Sequence, residues 1–175
     1  MIMADLKDKT ILVVDDEADV RQYLTMALDD AGFNVVSASD GFEAIEQVKK
    51  QKPDLISLDL VMPKKSGIKF YRELLKNKQW ADIPVLVVTG HARDDLGRSD
   101  LKELTMSGPG IYLEKPVKPH NYIAAIKKLL GLDISDDERQ AADQVELQNE
   151  LKNVIDDADP ETLRKLKELI NKKMN

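Results

Sequence analysis

Cysteine is absent from this 175-residue chain, which excludes disulfides, thiolate nucleophiles and zinc–thiolate sites and is compatible with a reducing compartment. Histidine is scarce: His91 and His120 are the only two, and they offer no zinc-ligand spacing. No run approaches the ~18 apolar residues of a membrane span. The first ten residues are too polar for a signal peptide, so cytoplasm is the expected location and no membrane is expected as a partner. A basic excess is missing as well. With 26 Lys and Arg against 32 Asp and Glu, the net charge is −6 and the isoelectric point is near 5.0. Sequence-independent nucleic-acid binding depends on clustered cations, so no nucleic-acid partner is expected. There is no glycine-rich phosphate loop either.

What the chain does have is 42% hydrophobic and 33% charged residues, the composition of a globular domain with a charged surface. Its length suits one domain with a proper core plus an appendage. Four short, nearly continuous apolar runs stand out at residues 11–14, 55–58, 85–88 and 111–113, and Val35-Val36 is a weaker fifth. Continuous runs suit strands covered on both faces, as in a parallel sheet. Between them, apolar residues recur at helical steps: Val20, Leu24, Ala27, Leu28 and Ala31 before Gly32, then Ala44, Ile45 and Val48, then Ile68, Tyr71, Leu74 and Leu75, and finally Ile123, Ile126, Leu129 and Leu130. Strand–helix alternation predicts an α/β doubly wound domain with a five-stranded parallel sheet of flavodoxin-like order 2-1-3-4-5, over about residues 8–131.

In such sheets ligands sit beyond the carboxyl ends of the strands. The residues just after the runs are Asp15, Asp16 and Glu17, then Asp59, then Thr89 and Gly90, then Glu114, Lys115 and Pro116. Each alone has an ordinary structural reading: a helix cap, a strand threonine, a surface lysine. At equivalent positions of four strands, coincidence is the weaker explanation. Carboxylates from neighbouring strands would repel by about 4 kcal/mol per pair at ~4 Å and an effective dielectric of ~20. Lys115 can offset part of that. A hard divalent cation with oxygen ligands, Mg²⁺ above all, suits the rest.

The motifs Val-Val-Asp15-Asp16-Glu17, Asp59-Leu-Val-Met-Pro63, Thr89-Gly90 and Lys115-Pro116 resemble those of two-component response-regulator receiver domains. The resemblance covers about residues 8–131. It implies that Asp59 accepts a phosphoryl group from a histidine kinase or phosphotransfer protein. It also implies that Asp15, Asp16, Asp59 and the Val61 carbonyl hold Mg²⁺, Asp16 directly and Asp15 largely through water. By the same resemblance Lys115 pairs with Asp59 and then with the phosphoryl oxygens, the Thr89 hydroxyl and Gly90 amide contact the phosphate, and the Lys115–Pro116 bond is cis. Tyr112, three residues before the lysine, takes the place of a family aromatic that rotates inward when Thr89 is drawn to the phosphate; its ordinary reading is a strand aromatic. The protein is then a switch that catalyses only its own phosphorylation and dephosphorylation. The alternatives are a relay intermediate that passes its phosphoryl group to a second histidine protein, and a scaffold that is not phosphorylated.

The chain departs from the family between Thr89 and Lys115, where the spacing is longer than expected and the segments His91-Ala-Arg-Asp-Asp-Leu-Gly97 and Met106-Ser-Gly-Pro-Gly110 are rich in turn formers. A helix displaced from its usual place is expected there. His91 could be a base, a phosphate contact or a solvated loop residue.

Residues 132–175 read as a helical extension in place of an output domain. Residues 132–161 carry 11 acids against two bases, while 162–175 carry one acid against five bases. Asp159-Pro160-Glu161 is a helix start, and Leu163, Leu166, Leu169 and Ile170 form an apolar stripe beyond it. Upstream, apolar residues from Ala141 to Ile155 indicate a longer acidic helix without a clean heptad. The extension can close as a hairpin, dock on the receiver, pair between protomers as a homodimer, or stay solvated. A homodimer through the displaced-helix face is the other self-contact expected.

Overall fold

The structure is a computed structural model that describes residues 6–62, 64, 66–90 and 112–174. Five strands, β1 (Thr10–Val14), β2 (Asn34–Ala38), β3 (Leu55–Leu58), β4 (Val85–Thr89) and β5 (Tyr112–Glu114), form one parallel sheet of order β2-β1-β3-β4-β5. The strand order and the parallel sense are those the sequence predicts. The helices are α1 (Ala18–Ala31), α2 (Gly41–Lys50), α3 (Gly67–Lys76), α4 (Pro119–Leu129), α5 (Asp136–Asp157) and α6 (Pro160–Met174). His91 and the displaced helix expected between the fourth and fifth strands lie outside the described residues.

Side-chain alternation along each strand feeds two cores, one per face of the sheet. Leu12, Val14, Ile56, Leu58 and Val85 pack against α2 and α3, around Ala44, Phe70 and Leu74. Ile11, Val13, Leu55, Leu86 and Val88 pack on the other face, around Leu24, Leu28, Tyr122 and Ile126 of α1 and α4. Because every central strand is covered on both faces, its sequence reads as an unbroken apolar run.

The helix ends follow their local chemistry. Gly32 closes α1 at φ 97°, in the left-handed region where a Cβ is penalised. The Asp40 carboxylate accepts from the amides of Phe42 and Glu43 at the start of α2. Ser135 and Glu138 form a reciprocal capping box at the start of α5, and Asp159 caps α6 through the amides of Glu161 and Thr162.

Helix α5 docks along α4. Ala141, Ala142 and Val145 are buried there, Lys127 pairs with Glu138 at 2.6 Å, and Lys128 bridges Asp143 and Glu146 at 2.9 Å each. Farther along, buried Asn149 donates its side-chain amide to the Tyr112 carbonyl at 3.1 Å, and Lys152 pairs with Glu114 at 2.6 Å. Helix α5 therefore spans from α4 to the edge strand β5. By contrast, the side chains of α6 are largely exposed.

Candidate functional site

The carboxyl ends of β1, β3, β4 and β5 meet at one edge of the sheet. Parallel pairing aligns Val14 with Leu58, so the residues that follow them, Asp15 and Asp59, emerge side by side. Likewise, Thr89 is in register with Glu114 across β4 and β5, and the Lys115 amide donates to the Thr89 carbonyl at 3.0 Å. The side chain of Lys115 is thereby delivered to the acids. Its Nζ stands 2.8 Å from Asp15 Oδ2, 2.8 Å from Glu17 Oε1 and 2.9 Å from Asp59 Oδ2. The Lys115–Pro116 peptide is cis.

Three carboxylates around one ammonium leave an excess of two negative charges. Asp15 and Asp59 are nearly inaccessible, at 1% and 4% exposure, whereas Glu17 opens to solvent. Burial pushes the Asp15 carboxyl above its ordinary value, with Asp59 adding to the push and Lys115 and the Glu17 amide working against it. Burial also opposes charge on Lys115, but its hydrogen bonds to Asp15, Glu17 and Asp59 prevail and hold the ammonium well above the usual lysine range. The lysine stays charged while the carboxylates compete for it.

Backbone contacts fix the acids. The Val61 amide donates to Asp59 Oδ1 at 3.1 Å, so the two carboxylate oxygens are held separately, one by the backbone and one by Lys115. The Glu17 amide donates to Asp15 Oδ1 at 2.9 Å, and the Arg21 guanidinium donates to the Asp15 carbonyl at 2.6 Å. Behind Asp59, Gly67 packs backbone to backbone. A Cβ there would collide with the Asp59 carbonyl oxygen and stand 2.7 Å from Leu60 Cα. The start of α3 can approach the acid only because residue 67 has no side chain.

One carboxylate oxygen from each of Asp15, Glu17 and Asp59 lies within 4.8 Å of the other two, an acidic triad of the kind that holds Mg²⁺ in receiver sites. An all-oxygen donor set with surplus negative charge and one open side fits a hard divalent cation. Asp16 stands outside this triad. Glu17 is expected from the sequence only as a strand-end residue with no ligand role, and nothing in the motifs marks it out. Gly67 and Arg21 are likewise unmarked.

Thr89 is fully buried at the end of β4, and its hydroxyl has no hydrogen-bond partner among the described residues. The same holds for the hydroxyl of Tyr112, whose side chain is buried. Gly90 lies against the Lys115 stem, where a Cβ would stand 4.0 Å from its Cδ. Val61 is exposed at the rim. An apolar groove of about 260 Å³ is lined by Lys115 together with Asp19, Val20, Tyr23, Leu24, Pro116 and Val117.

Comparison with known proteins agrees with this geometry. The chain is 35% identical over 122 residues to the phosphate regulon transcriptional regulatory protein PhoB of Pseudomonas aeruginosa, covering 70% of this chain and 52% of the relative. It is 35% identical over 123 residues to the alkaline phosphatase synthesis transcriptional regulatory protein PhoP of Bacillus subtilis, covering 70% and 49%. The chain thus spans about half the length of the curated relatives it matches. Among solved structures, the chemotaxis response regulator CheY4 of Vibrio cholerae superposes with a TM-score of 0.60 at 28% identity, over 69% of this chain and 98% of that one. The receiver domain of NtrX from Brucella abortus does so with a TM-score of 0.60 at 28% identity, over 70% and 99%. Among the described residues no helix is long and apolar enough to cross a membrane. The model of the response regulator receiver domain matches residues 11–127, and with the five-stranded order and the acidic triad this establishes that the chain belongs to the response-regulator receiver family of two-component systems, with further helices following the domain.

Proposed function

We propose that this receiver is a phosphorylation switch whose acceptor is Asp59. The observation that carries the reading is the convergence of Asp15, Glu17 and Asp59 on the single ammonium of Lys115. A lone pair on an Asp59 carboxylate oxygen attacks the phosphorus of a phosphohistidine. The new O–P bond forms as the N–P bond breaks, and the imidazole departs with the bonding pair.

Phosphoryl transfer asks for in-line positioning and stabilisation of charge on the equatorial oxygens, and little covalent work beyond the attack. The Val61 amide and Lys115 hold the Asp59 carboxylate in place. Lys115, the Thr89 hydroxyl, unpartnered among the described residues, and the Gly90 amide are the donors for the incoming oxygens. Mg²⁺, when bound by Asp15, Asp59 and neighbouring oxygens, with Glu17 or Asp16 and the Val61 carbonyl as the candidates, would neutralise charge on the transferring group. A buried hydroxyl without a partner is costly, so Thr89 gains a hydrogen bond when phosphate arrives. Its movement frees space beside β5, and Tyr112 is the side chain placed to answer it.

The phosphodonor is a histidine kinase or a phosphotransfer protein, the usual partners of receiver domains. The apolar groove beside Lys115 offers a docking surface next to the acceptor. The output we propose is protein contact rather than nucleic-acid binding, since residues 132–175 are acidic overall and expose apolar stripes.

The test is incubation with acetyl phosphate and Mg²⁺, followed by intact mass. Asp59→Asn should take up nothing where the parent gains one phosphoryl group. Absence of an adduct on the parent, with rapid quenching and with cognate kinases offered, would overturn the reading.

A further inference from the structure

We propose that α5 and α6 form a homodimer interface in which the basic α6 of one protomer lies on the outer face of the acidic α5 of its partner. Helix α5 has two apolar faces. The inner one, Ala141, Ala142 and Val145, is spent on α4. The outer one, Leu147, Leu151 and Val154, recurs at four- and three-residue steps on the opposite side and is bare, with Leu151 at 51% and Val154 at 54% exposure. Helix α6 repeats the pattern with Leu163, Leu166 and Ile170, the last 57% exposed. A 15-residue helix with an uncovered stripe is marginal in water, and most helical stability comes from covering such a face.

Charge selects the occupant. Glu150 and Asp157 border the outer stripe of α5, and Lys167 borders the stripe of α6. Residues 132–161 hold 11 acids against two bases, whereas 162–175 hold five bases against one acid. Two copies of α5 facing each other would repel, and so would two copies of α6. An α5–α6 pairing matches both stripe and sign. Within one chain the stripes do not cover each other, because Leu151, Val154 and Leu163 all remain exposed. A two-fold axis makes the exchanged contact twice and closes the assembly, which needs no third copy.

The full chain should sediment as a dimer at micromolar concentration. Leu151→Asp with Val154→Asp should make it monomeric, since two carboxylates would enter the apolar seam. Phosphorylation by acetyl phosphate should be unchanged in that variant, because the acidic pocket is untouched and the inner face of α5 is intact. Lys167→Glu should weaken the dimer about tenfold, and adding Glu150→Lys should restore most of that loss. The absence of native cysteine permits a direct check of topology. Mixed single-cysteine variants Leu151→Cys and Leu166→Cys should form an intermolecular disulfide. A chain that stays monomeric at 100-micromolar order, a dimer indifferent to the Asp substitutions, or a disulfide formed only within a doubly substituted chain would each overturn the proposal.

Discussion

The acidic pocket and the helices that follow the domain are deficient in opposite ways. The pocket has too much charge in too little water: Asp15 and Asp59 are buried around a lysine they share with Glu17. The α5–α6 segment has too much apolar surface in too much water, with Leu147, Leu151, Val154 and Ile170 all about half exposed or more. Each region reads as one side of a contact. A surplus of buried negative charge calls for a cation. A bare apolar stripe flanked by charge of one sign calls for a helix of the other sign. The kind of deficiency therefore specifies the kind of ligand.

The sharpest way to break this comparison is to remove the ammonium that the three acids share. Lys115→Met should destabilise the protein by about 3 kcal/mol in chelator, because it strands a buried carboxylate pair. Urea melts should show the loss shrinking when Mg²⁺ is added. The exchange protection of α5 amides next to α4 should change little. A loss that Mg²⁺ does not relieve would mean that the acids are not a cation site. Gly67→Ala comes next, at about 2 kcal/mol from overpacking, with slower phosphorylation because the added methyl pushes on the Asp59 backbone. Asn149→Ala tests the other region. It should cost about 1 kcal/mol by leaving the Tyr112 carbonyl without its donor, and it should loosen α5 while acetyl phosphate still labels Asp59.

The smallest effect concerns pH. The Asp15 carboxyl lies above its ordinary 3.8, so its contribution to stability is fully present below that pH and is lost as pH rises through the raised value. In chelator, Asp15→Asn should flatten that decline relative to the parent. Glu138 has the opposite sign. Burial resists its ionisation, but Lys127 and the Ser135 amide outweigh burial and hold its carboxyl below the ordinary 4.5. The α4–α5 contact should therefore weaken as pH falls below about 4.5, visible as loss of α5 exchange protection before global unfolding.

Much of this was legible in the sequence because a doubly wound sheet writes itself plainly. Strands covered on both faces leave continuous apolar runs, and the residues just past the runs gather at one edge of the sheet, where Asp15, Asp59 and Lys115 meet. What stayed hidden depended on contacts between segments. Glu17 joins Asp15 and Asp59 around Lys115 while Asp16 stands outside the triad, a matter of tertiary geometry that composition does not encode. Gly67 looks like any glycine at a helix start until Asp59 is seen behind it. The broken heptad of α5 has a simple cause. Its apolar residues belong to two faces, one meeting α4 and one turned outward, and a one-face template cannot fit both.

The hydrogen bond from Asn149 to Tyr112 has a consequence for assembly. Among the described residues strand β5 is an edge of the sheet, and in a parallel ladder where Lys115 turns its amide toward β4, the Tyr112 carbonyl turns the other way, away from the sheet. An edge of this kind is a template on which another chain can add a strand. Asn149 occupies that acceptor and the body of α5 stands across the approach, so the helix works as a bookend: further layers cannot be shelved beyond β5, and growth of the sheet by stacking chain upon chain is stopped on that side.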